Sequence, residues 1–529
     1  MRVKNNRRNL FNLSHPRVFT MDTGTFNPML VQRVLPGDVW NVKTRMVVRA
    51  YNVPLFPLMH QVKAYTRYFF VPNRLLFDDW ETMITGAKDG RDLSVDNITP
   101  PTAPSHVYAG TAQAESILDY IGFPLDFRGI AVTEEPLRAI AKVWSDWIRD
   151  QNIQPEVDYP RTSGNQVNLN WWRDYFGDLP TSRGGMPRVN WGRDYLTSSV
   201  QQRQKGPVVT IPLIGDSPVV TSPTDNSITA NEVLRMAYFN GSFPAQNQVL
   251  GVSTTGIVGT TANATAAPTG VKPLNLVAKT SLAAGIPVPD VRQGFQTQLL
   301  FEINMDGGNR YTEHLRNLFN VIPPDSRLQR AEFLGGGQSP VIFREVLQTS
   351  ETSGDQPLGQ LGGHGFTAQE THEFTKSFVE DGWVLGFIYI RPKGQYQQSL
   401  SRHFTKLTRF DHYIPVFAHL SQQPVYKYEV DATQGRNPNA VFGYQDVWDE
   451  YRHILPSVHG LVKTNLDFFA WQRVFSNEQS LNSDFIQCRP GGRPFKITDQ
   501  SPWVVEMMHH IKALRPMPKR GTSGRIDHA

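Results

Sequence analysis

The clearest regularity in this chain is alternation. In "VWNVKTRMVVRAY" (39–51), Trp40, Val42, Thr44, Met46, Val48 and Ala50 fall on one face, with Asn41, Lys43, Arg45 and Arg49 on the other. Period two marks a half-buried strand, and "PGD" (36–38) supplies the turn before it. "QVKAYTRYFFV" (61–71) alternates again, setting Val62, Ala64, Tyr68 and Phe70 opposite Lys63 and Arg67. The chain then turns at Pro72-Asn73 and enters "RLLFDDW", where Asp78 or Asp79 is placed to cap a helical turn carrying Trp80 and Met83. Further strands are predicted at 205–213, 339–349, 374–392 and 424–430. Within 374–392, Asp381-Gly382 separates Phe374, Lys376 and Phe378 from the wholly apolar "WVLGFIYI", which predicts a hairpin whose second strand is covered on both faces.

Helical periodicity is rarer. "TEEPLRAIAKVWSDWIRDQ" (133–151) offers Thr133 as cap, Pro136 in the first turn and one stripe of Leu137, Ile140, Trp144, Trp147 and Ile148. "GYQDVWDEYRHIL" (443–455) lines up Tyr444, Val447, Trp448, Tyr451 and Leu455, a second predicted helix. Both stripes read as packing surface. Residues 236–271 contain no Asp, Glu, Lys or Arg and are rich in Gly, Thr and Ala, which predicts a long surface excursion rather than a core.

Composition sharpens the fold class. The 529 residues include 41 Gly, 38 Pro and 11% aromatics, turn chemistry and rings together, as expected for short strands joined by long loops. No apolar run reaches the roughly 20 residues of a membrane-spanning helix, and the basic N-terminus has no apolar stretch behind it to make a secretory signal. The single cysteine, Cys488, cannot form an internal disulfide, so burial must hold the fold and a reducing compartment is the simplest setting.

Candidate chemistry is sparse. "FLGGGQSP" (333–340) lacks the Gly-Lys-Ser/Thr that seats phosphates and reads as a backbone bend. His364 with His372 lacks a third ligand in register, and His509-His510 would point to different faces of a helix. No catalytic residue, cofactor or metal site is expected. Charge is more telling. Of the net +5, residues 1–21 hold +5 and residues 511–529 hold +4, which leaves the body at −4. Basic ends on a slightly acidic body suggest a polyanion touched by the termini.

At "FFVPNRLLFDDW" the chain resembles the major capsid proteins of microviruses, specifically the gokushovirus-like single-stranded-DNA phages. The likeness continues through "FNLSHPRVFTMDTG" (11–24), "WSDWIRDQNIQP" (144–155), "RDYLTSSVQQRQKGPVVTIPL" (193–213), "PDSRLQRAEFLGGG" (324–337), "FTKSFVEDGWVLGF" (374–387), "TRFDHYIPVFAHL" (408–420) and "GYQDVWDEYR" (443–452), in order over nearly the whole length. The resemblance implies a mainly β chain: one eight-stranded jelly-roll barrel, a β-sandwich, spanning 1–529, with long inter-strand insertions and a few short helices. It implies a basic N-terminal arm (1–21), a surface insertion at 216–290 that is a candidate threefold protrusion for host attachment, and a basic C-terminal tail (511–529).

The implied function is self-assembly into a T=1 icosahedral shell around circular single-stranded DNA, in a virion assembled in the host bacterial cytoplasm. Implied partners are identical subunits, the genomic DNA, scaffolding or other virion proteins and a host receptor, with no membrane insertion. Arg2, Lys4, Arg7, Arg8, Lys519, Arg520 and Arg525 are then the expected DNA contacts. Phe69, Phe70, Leu75, Leu76, Phe77 and Trp80 are the expected inter-subunit packing residues, with the segment after Pro72 turned outward under a neighbour. Two rival readings stand beside this one: a β-sandwich carbohydrate-active enzyme, for which no carboxylate pair is singled out, and a nucleic-acid-binding module acting through the basic ends.

Overall fold

A computed structural model describes residues 8–52, 54–85, 101–107, 113–125, 129–164, 169–179, 185–210, 288–308, 310–347, 361–370, 374–433 and 437–519, with short strands between 219 and 278. The chain divides into two compact units, one of residues 1–205 with 303–529 and the other of residues 206–302.

The first unit is built on one curled antiparallel sheet. Its strands are β1 (Asn9–Asn12), β2 (His15–Met21), β3 (Asn27–Val34), β4 (Val39–Ala50), β5 (Val62–Pro72), β6 (Glu332–Leu347), β7 (Leu361–Glu370), β8 (Phe374–Ser377), β9 (Gly382–Pro392) and β10 (Trp503–Arg515). The order is β1-β10-β4-β7-β6-β5-β9-β3, with β2 also on β10 and β8 also on β4. Because β1 and β2 share one lane and β7 and β8 another, the ten strands fill eight lanes, the mainly β sandwich of a jelly roll.

The 16-residue β6 is the corner. Glu332 to Val341 pair with β5, and Ile342 to Leu347 pair with β7, so one strand belongs to both halves and folds the sheet onto itself. The glycines of 333–340 therefore lie in a strand and not in a loop bend. A bulge separates Phe333 from Gly335, and Gly336 has no room for a side chain against the Thr66 carbonyl.

The two halves enclose the main core. From one side come Trp40, Val42, Met46 and Val48 of β4 with Val505, Met507 and Ile511 of β10; from the other come Tyr68 and Phe70 of β5 with Val384, Ile388 and Ile390 of β9. The six inward positions predicted for β4 are all buried. The apolar β9 is covered on both sides as expected, since Leu385, Phe387 and Tyr389 face a second core. The predicted hairpin is corrected: β8 pairs with β4 while β9 pairs with β5 and β3, so Asp381-Gly382 carries the chain from one half of the sheet to the other.

The second core lies under helix α1 (Glu135–Val143), continued by a π turn at Trp144–Ile148. Glu134 is the N-cap in place of the predicted Thr133, whose hydroxyl accepts from the Glu135 amide at 3.2 Å. This layer explains the aromatic run of β5. Adjacent residues of a strand point to opposite faces, so Phe70 enters the inter-sheet core and Phe69 enters the helical one.

The expected outward turn after Pro72 does not occur. Tyr159 Oη and Arg161 Nη2 donate to the Leu75 carbonyl at 3.1 and 3.0 Å, and Arg138 Nη1 donates to the Leu76 carbonyl at 3.2 Å. The backbone is tied inward, and Phe69, Phe70, Leu75, Leu76 and Phe77 are at most 3% exposed in the single chain. Their cover is internal, which corrects their assignment to an inter-subunit contact. Trp80 opens a short helix, Trp80–Thr85, and stays half-buried, packed edge-on to Phe77 with the Arg33 guanidinium over its ring.

Three other expectations change. At 443–455 a strand, Val441–Asp446, pairs with Gln422–Tyr426; Trp448 then takes a left-handed backbone (φ 66°), which stops any helix before the short turn Asp449–Tyr451. The strand predicted at 424–430 ends at Tyr426, because Lys427–Val430 form a helical turn. Residues 205–210 hold no strand, and 211–213 lie outside the described residues. The second unit contains a four-stranded antiparallel sheet, in the order Val249–Val252, Val258–Thr261, Thr269–Pro273, Met236–Tyr238, and a strand pair of Val219–Thr221 with Leu276–Ala278. Much of 216–290 lies outside the described residues.

One polar chain crosses the main core. Tyr68 Oη donates to Thr44 Oγ1 at 2.6 Å, Thr44 Oγ1 is 2.8 Å from His509 Nδ1, and His509 Nε2 is 3.1 Å from the Met29 carbonyl. A carbonyl only accepts, so Nε2 carries the proton, Nδ1 accepts from the Thr44 hydroxyl, and that hydroxyl accepts from Tyr68. A register shift in the β3–β9 ladder passes over Met29, and its carbonyl also accepts from Arg17 Nη1 at 3.1 Å. His509 sits on a strand, inward, with His510 outward, and not on the helix imagined from the sequence.

Burial, and then the nearby His15, holds the His509 imidazole down at about 4. An unfolded imidazole titrates near 6.5, so between those values the unfolded chain binds the extra proton and stability falls as pH drops. The loss from pH 6.5 to 4 amounts to about 3 kcal/mol. Burial pushes the Glu134 carboxyl the other way, up to about 7 despite Arg138, so the whole profile is flatter than the histidine alone would make it. Denaturant titrations of the unassembled native chain and a His509→Gln variant, compared at each pH, should differ by that sloping amount. A difference independent of pH would refute the neutral buried imidazole. On the same assay Phe77→Ala should cost the unassembled subunit about 3–5 kcal/mol, the cost of emptying an aromatic core position, whereas an interface residue would leave the lone chain unchanged.

Candidate functional site

Sequence reasoning pointed to two kinds of surface, one basic and one apolar, and the structure redraws both. For the basic surface, Arg2, Lys4, Arg7, Arg520 and Arg525 lie outside the described residues, while Arg8 and Lys519 are described and Lys519 is exposed. Strand β1 pairs with the far end of β10, Asn9 opposite Arg515, and Asn9 Nδ2 donates to the Met517 carbonyl at 2.8 Å. Arg8 and the chain after Arg515 thus leave from adjacent strands at one sheet edge. Residues about five hundred positions apart in the chain thus bring Arg8 and the end of β10 close together, which charge counting along the sequence does not reveal.

The apolar surface lies elsewhere. With Phe69 to Phe77 internal, one run of large exposed hydrophobics lies in 400–420. Phe404, Leu407, Phe410, Tyr413 and Val416 follow one another at intervals of three, and Leu407 and Val416 are 89% and 85% exposed. Short 3₁₀ turns at Arg402–Thr405, Arg409–Asp411 and Pro415–Phe417 form the segment, and a spacing of three is the repeat of that helix type. Period three among apolar residues is therefore the signal carried by "FTKLTRFDHYIPV" (404–416), which matches neither the strand period of two nor the α-helical period of 3.6.

This segment is built to hold its shape. The Asp411 carboxylate accepts from the Leu407 amide, the Thr408 amide and the Thr408 hydroxyl at 3.1, 2.7 and 2.8 Å. Those bonds from Thr408 hold its carboxyl below the usual carboxylate range. Lys406 reaches inward to Glu450 at 2.7 Å, with both side chains almost fully buried, and its ammonium lies 4.0 Å from the Tyr451 ring centroid. Trp448 Nε1 donates to the Phe417 carbonyl at 3.0 Å. Exposed rings on an anchored segment are not frayed chain; they form a preformed apolar contact surface.

Candidate chemistry falls away. Cys488 is fully buried, and burial pushes its thiol up to about 12, so it is not a nucleophile at neutral pH. Its carbonyl occupies the place a side chain on Gly24 (φ 83°) would need, a packing role. No group of three His, Cys, Asp or Glu placed to hold a metal occurs among the described residues, and His372 lies outside them. No helix among the described residues is long and apolar enough to cross a membrane.

Comparison with known proteins agrees with this mainly β fold. The family described as "Capsid protein (F protein)" matches residues 1–525. The chain is 31% identical to Capsid protein VP1 of Chlamydia phage 1 and 32% identical to Capsid protein VP1 of Bdellovibrio phage phiMH2K, each alignment covering 98% of this chain and 96% of the relative. It is 29% identical to Capsid protein VP1 of Spiroplasma virus 4 over 98% of this chain and 95% of that protein. Coverage that complete, on a fold of this class, sets the enzyme reading aside: the chain belongs to the phage capsid protein (F protein) family and is a structural protein of virions.

Proposed function

We propose that identical copies of this chain close into a T=1 icosahedral shell around a circular single-stranded DNA genome, with the basic termini on the DNA. The observation that carries the shell reading is the anchored apolar row from Phe404 to Val416. A lone subunit would keep that row in water, whereas a neighbouring copy gives it cover at about 25 cal/mol per Å² of apolar surface removed. In a closed symmetric assembly each such contact recurs at every copy. The common exit of the two termini supports the DNA reading, since it concentrates cations where a polyanion is neutralised without regard to sequence. Scaffolding or other virion proteins would assist assembly. The surface insertion at 216–290, which contains the whole charge-free stretch 236–271 and falls in the unit of residues 206–302, is the part proposed for host attachment.

Two measurements separate these claims. A Phe404→Asp, Leu407→Asp double variant should form no closed particles under electron microscopy while its unfolding free energy stays within about 0.5 kcal/mol of native, as surface changes do. Particles of native yield would overturn the assignment of this row. Removal of residues 2–8 should leave assembly intact but flatten the salt dependence of DNA retention, by about 3 in log–log slope for four lost cations on single strands. An unchanged slope would refute the N-terminal arm as a DNA contact.

A further inference from the structure

The first unit also carries an amphipathic helix that turns its apolar side to solvent. Helix α2 (Tyr311–Phe319) sets Tyr311, Leu315, Leu318 and Phe319 at i, i+4, i+7 and i+8, which makes one stripe. Val321 and Ile322 follow directly and are exposed as well. A helix of this kind ordinarily turns its stripe to a core. Here none of the nine residues is buried: Tyr311 and Phe319 are each 65% exposed, and Ile322 beyond them is 80% exposed. The His314 ring packs with both aromatic rings, its centroid 6.5 Å from that of Tyr311 and 6.2 Å from that of Phe319.

The helix is fixed at both ends. Before its first turn the Arg310 amide donates to Gln151 Oε1 and Glu313 Oε2, each at 3.1 Å, and Arg310 Nη2 donates to the Ser145 carbonyl at 2.7 Å. After its last turn Asn320 takes a left-handed backbone (φ 53°). Its amide and that of Val321 close on the Arg316 and Leu315 carbonyls at 3.0 and 3.3 Å. The stripe is therefore preformed. It carries no Lys, Arg or carboxylate, and Glu313, off the stripe, is already paired with Arg310. Apolar cover suits such a surface, and a polyanion does not.

Symmetry decides what that cover is. One pair of complementary patches closes a dimer or a ring, or runs on as a filament, and nothing more. An icosahedral shell has axes of more than one order, so each subunit must meet its neighbours through more than one independent surface. The row from Phe404 to Val416 supplies one of them. We propose that the α2 stripe supplies another, covered in the shell by a second copy of this chain about a different axis from the one the row serves. The proposal rests on the shell reading.

Because Cys488 is fully buried, a Val321→Cys variant of the full chain offers a single open thiol to a maleimide. That thiol should react as an exposed cysteine in the unassembled subunit and about tenfold or more slowly in closed particles. A second variant, Phe319→Asp with Ile322→Asp, should melt at the native temperature, since it changes only exposed positions. Its closed particles should vanish under electron microscopy, while smaller oligomers held by the row remain in native mass spectrometry. Adding Phe404→Asp and Leu407→Asp should remove those oligomers too. Slow labelling in subunit and particle alike would mean that the chain covers the stripe itself, and native particle yield from the aspartate pair would mean that its occupant is not a copy. Loss of every oligomer from that pair alone would make the row and the stripe one contact. Each of these results overturns the proposal. Native particles with an unprotected thiol would sink this contact and leave the shell reading standing, and absence of particles from every native preparation would sink the shell reading itself.

Discussion

The first unit depends on two halves of one sheet staying in register across a core that is not wholly apolar. The chain from Tyr68 through Thr44 and His509 to the Met29 carbonyl joins β5, β4, β10 and β3, hence both halves, through three consecutive contacts of 2.6, 2.8 and 3.1 Å. Apolar packing alone is tolerant of sliding, whereas a buried polar group left without a partner costs about 1–3 kcal/mol. Each link has only one proton arrangement that satisfies it, and only one relative placement of the halves permits that arrangement. The thread thus contributes uniqueness more than gross stability, and it requires a neutral imidazole.

Closing the sheet in this way has a consequence for assembly. Strands β5 and β9 are covered on both faces, by the opposite half and by the layer around α1. The most apolar stretches of the chain are thereby consumed inside the subunit. Contact between subunits then falls to what the loops present, and the anchored segment 404–416 is the surface proposed for it. Such a division lets the subunit fold before it meets a neighbour, since no core residue waits for a partner. The buried Glu134–Arg138 pair serves the same internal closure: at 3.1 Å, with both side chains fully buried, it lets Arg138 hold the Leu76 carbonyl and pin the aromatic segment. Removing Glu134 would strand the buried Arg138 guanidinium.

How much of this could be read from the sequence follows physical range. The inward face of β4 was legible residue by residue, because alternation is a local property, and so was the two-sided cover of β9 from its unbroken apolar run. The destination of Phe69 to Phe77 was not, because an apolar segment after a turn looks the same whether a helix of its own chain or another subunit covers it. Nor was the role of Asp381-Gly382, since a turn signal does not say which lane the next strand joins. Trp448 defeated the helix at 443–455 through a single left-handed residue, a conformation no periodicity count anticipates for tryptophan. The joint exit of the termini arises from pairings some five hundred residues apart in the chain, beyond the reach of any local pattern.

Those long-range pairings also resolve an electrostatic tension. A body near −4 repels a nucleic acid overall, and its copies repel one another in a shell. Screening confines that repulsion to about 8–10 Å at physiological salt, so the local sign of a surface matters more than the net charge. The fold gathers cations at the edge where β1 meets β10, while acids elsewhere are spent on internal pairs such as Lys406–Glu450. A net-acidic body and locally basic sheet edges are therefore compatible on one chain, because strand pairing, rather than composition, decides which charges become neighbours.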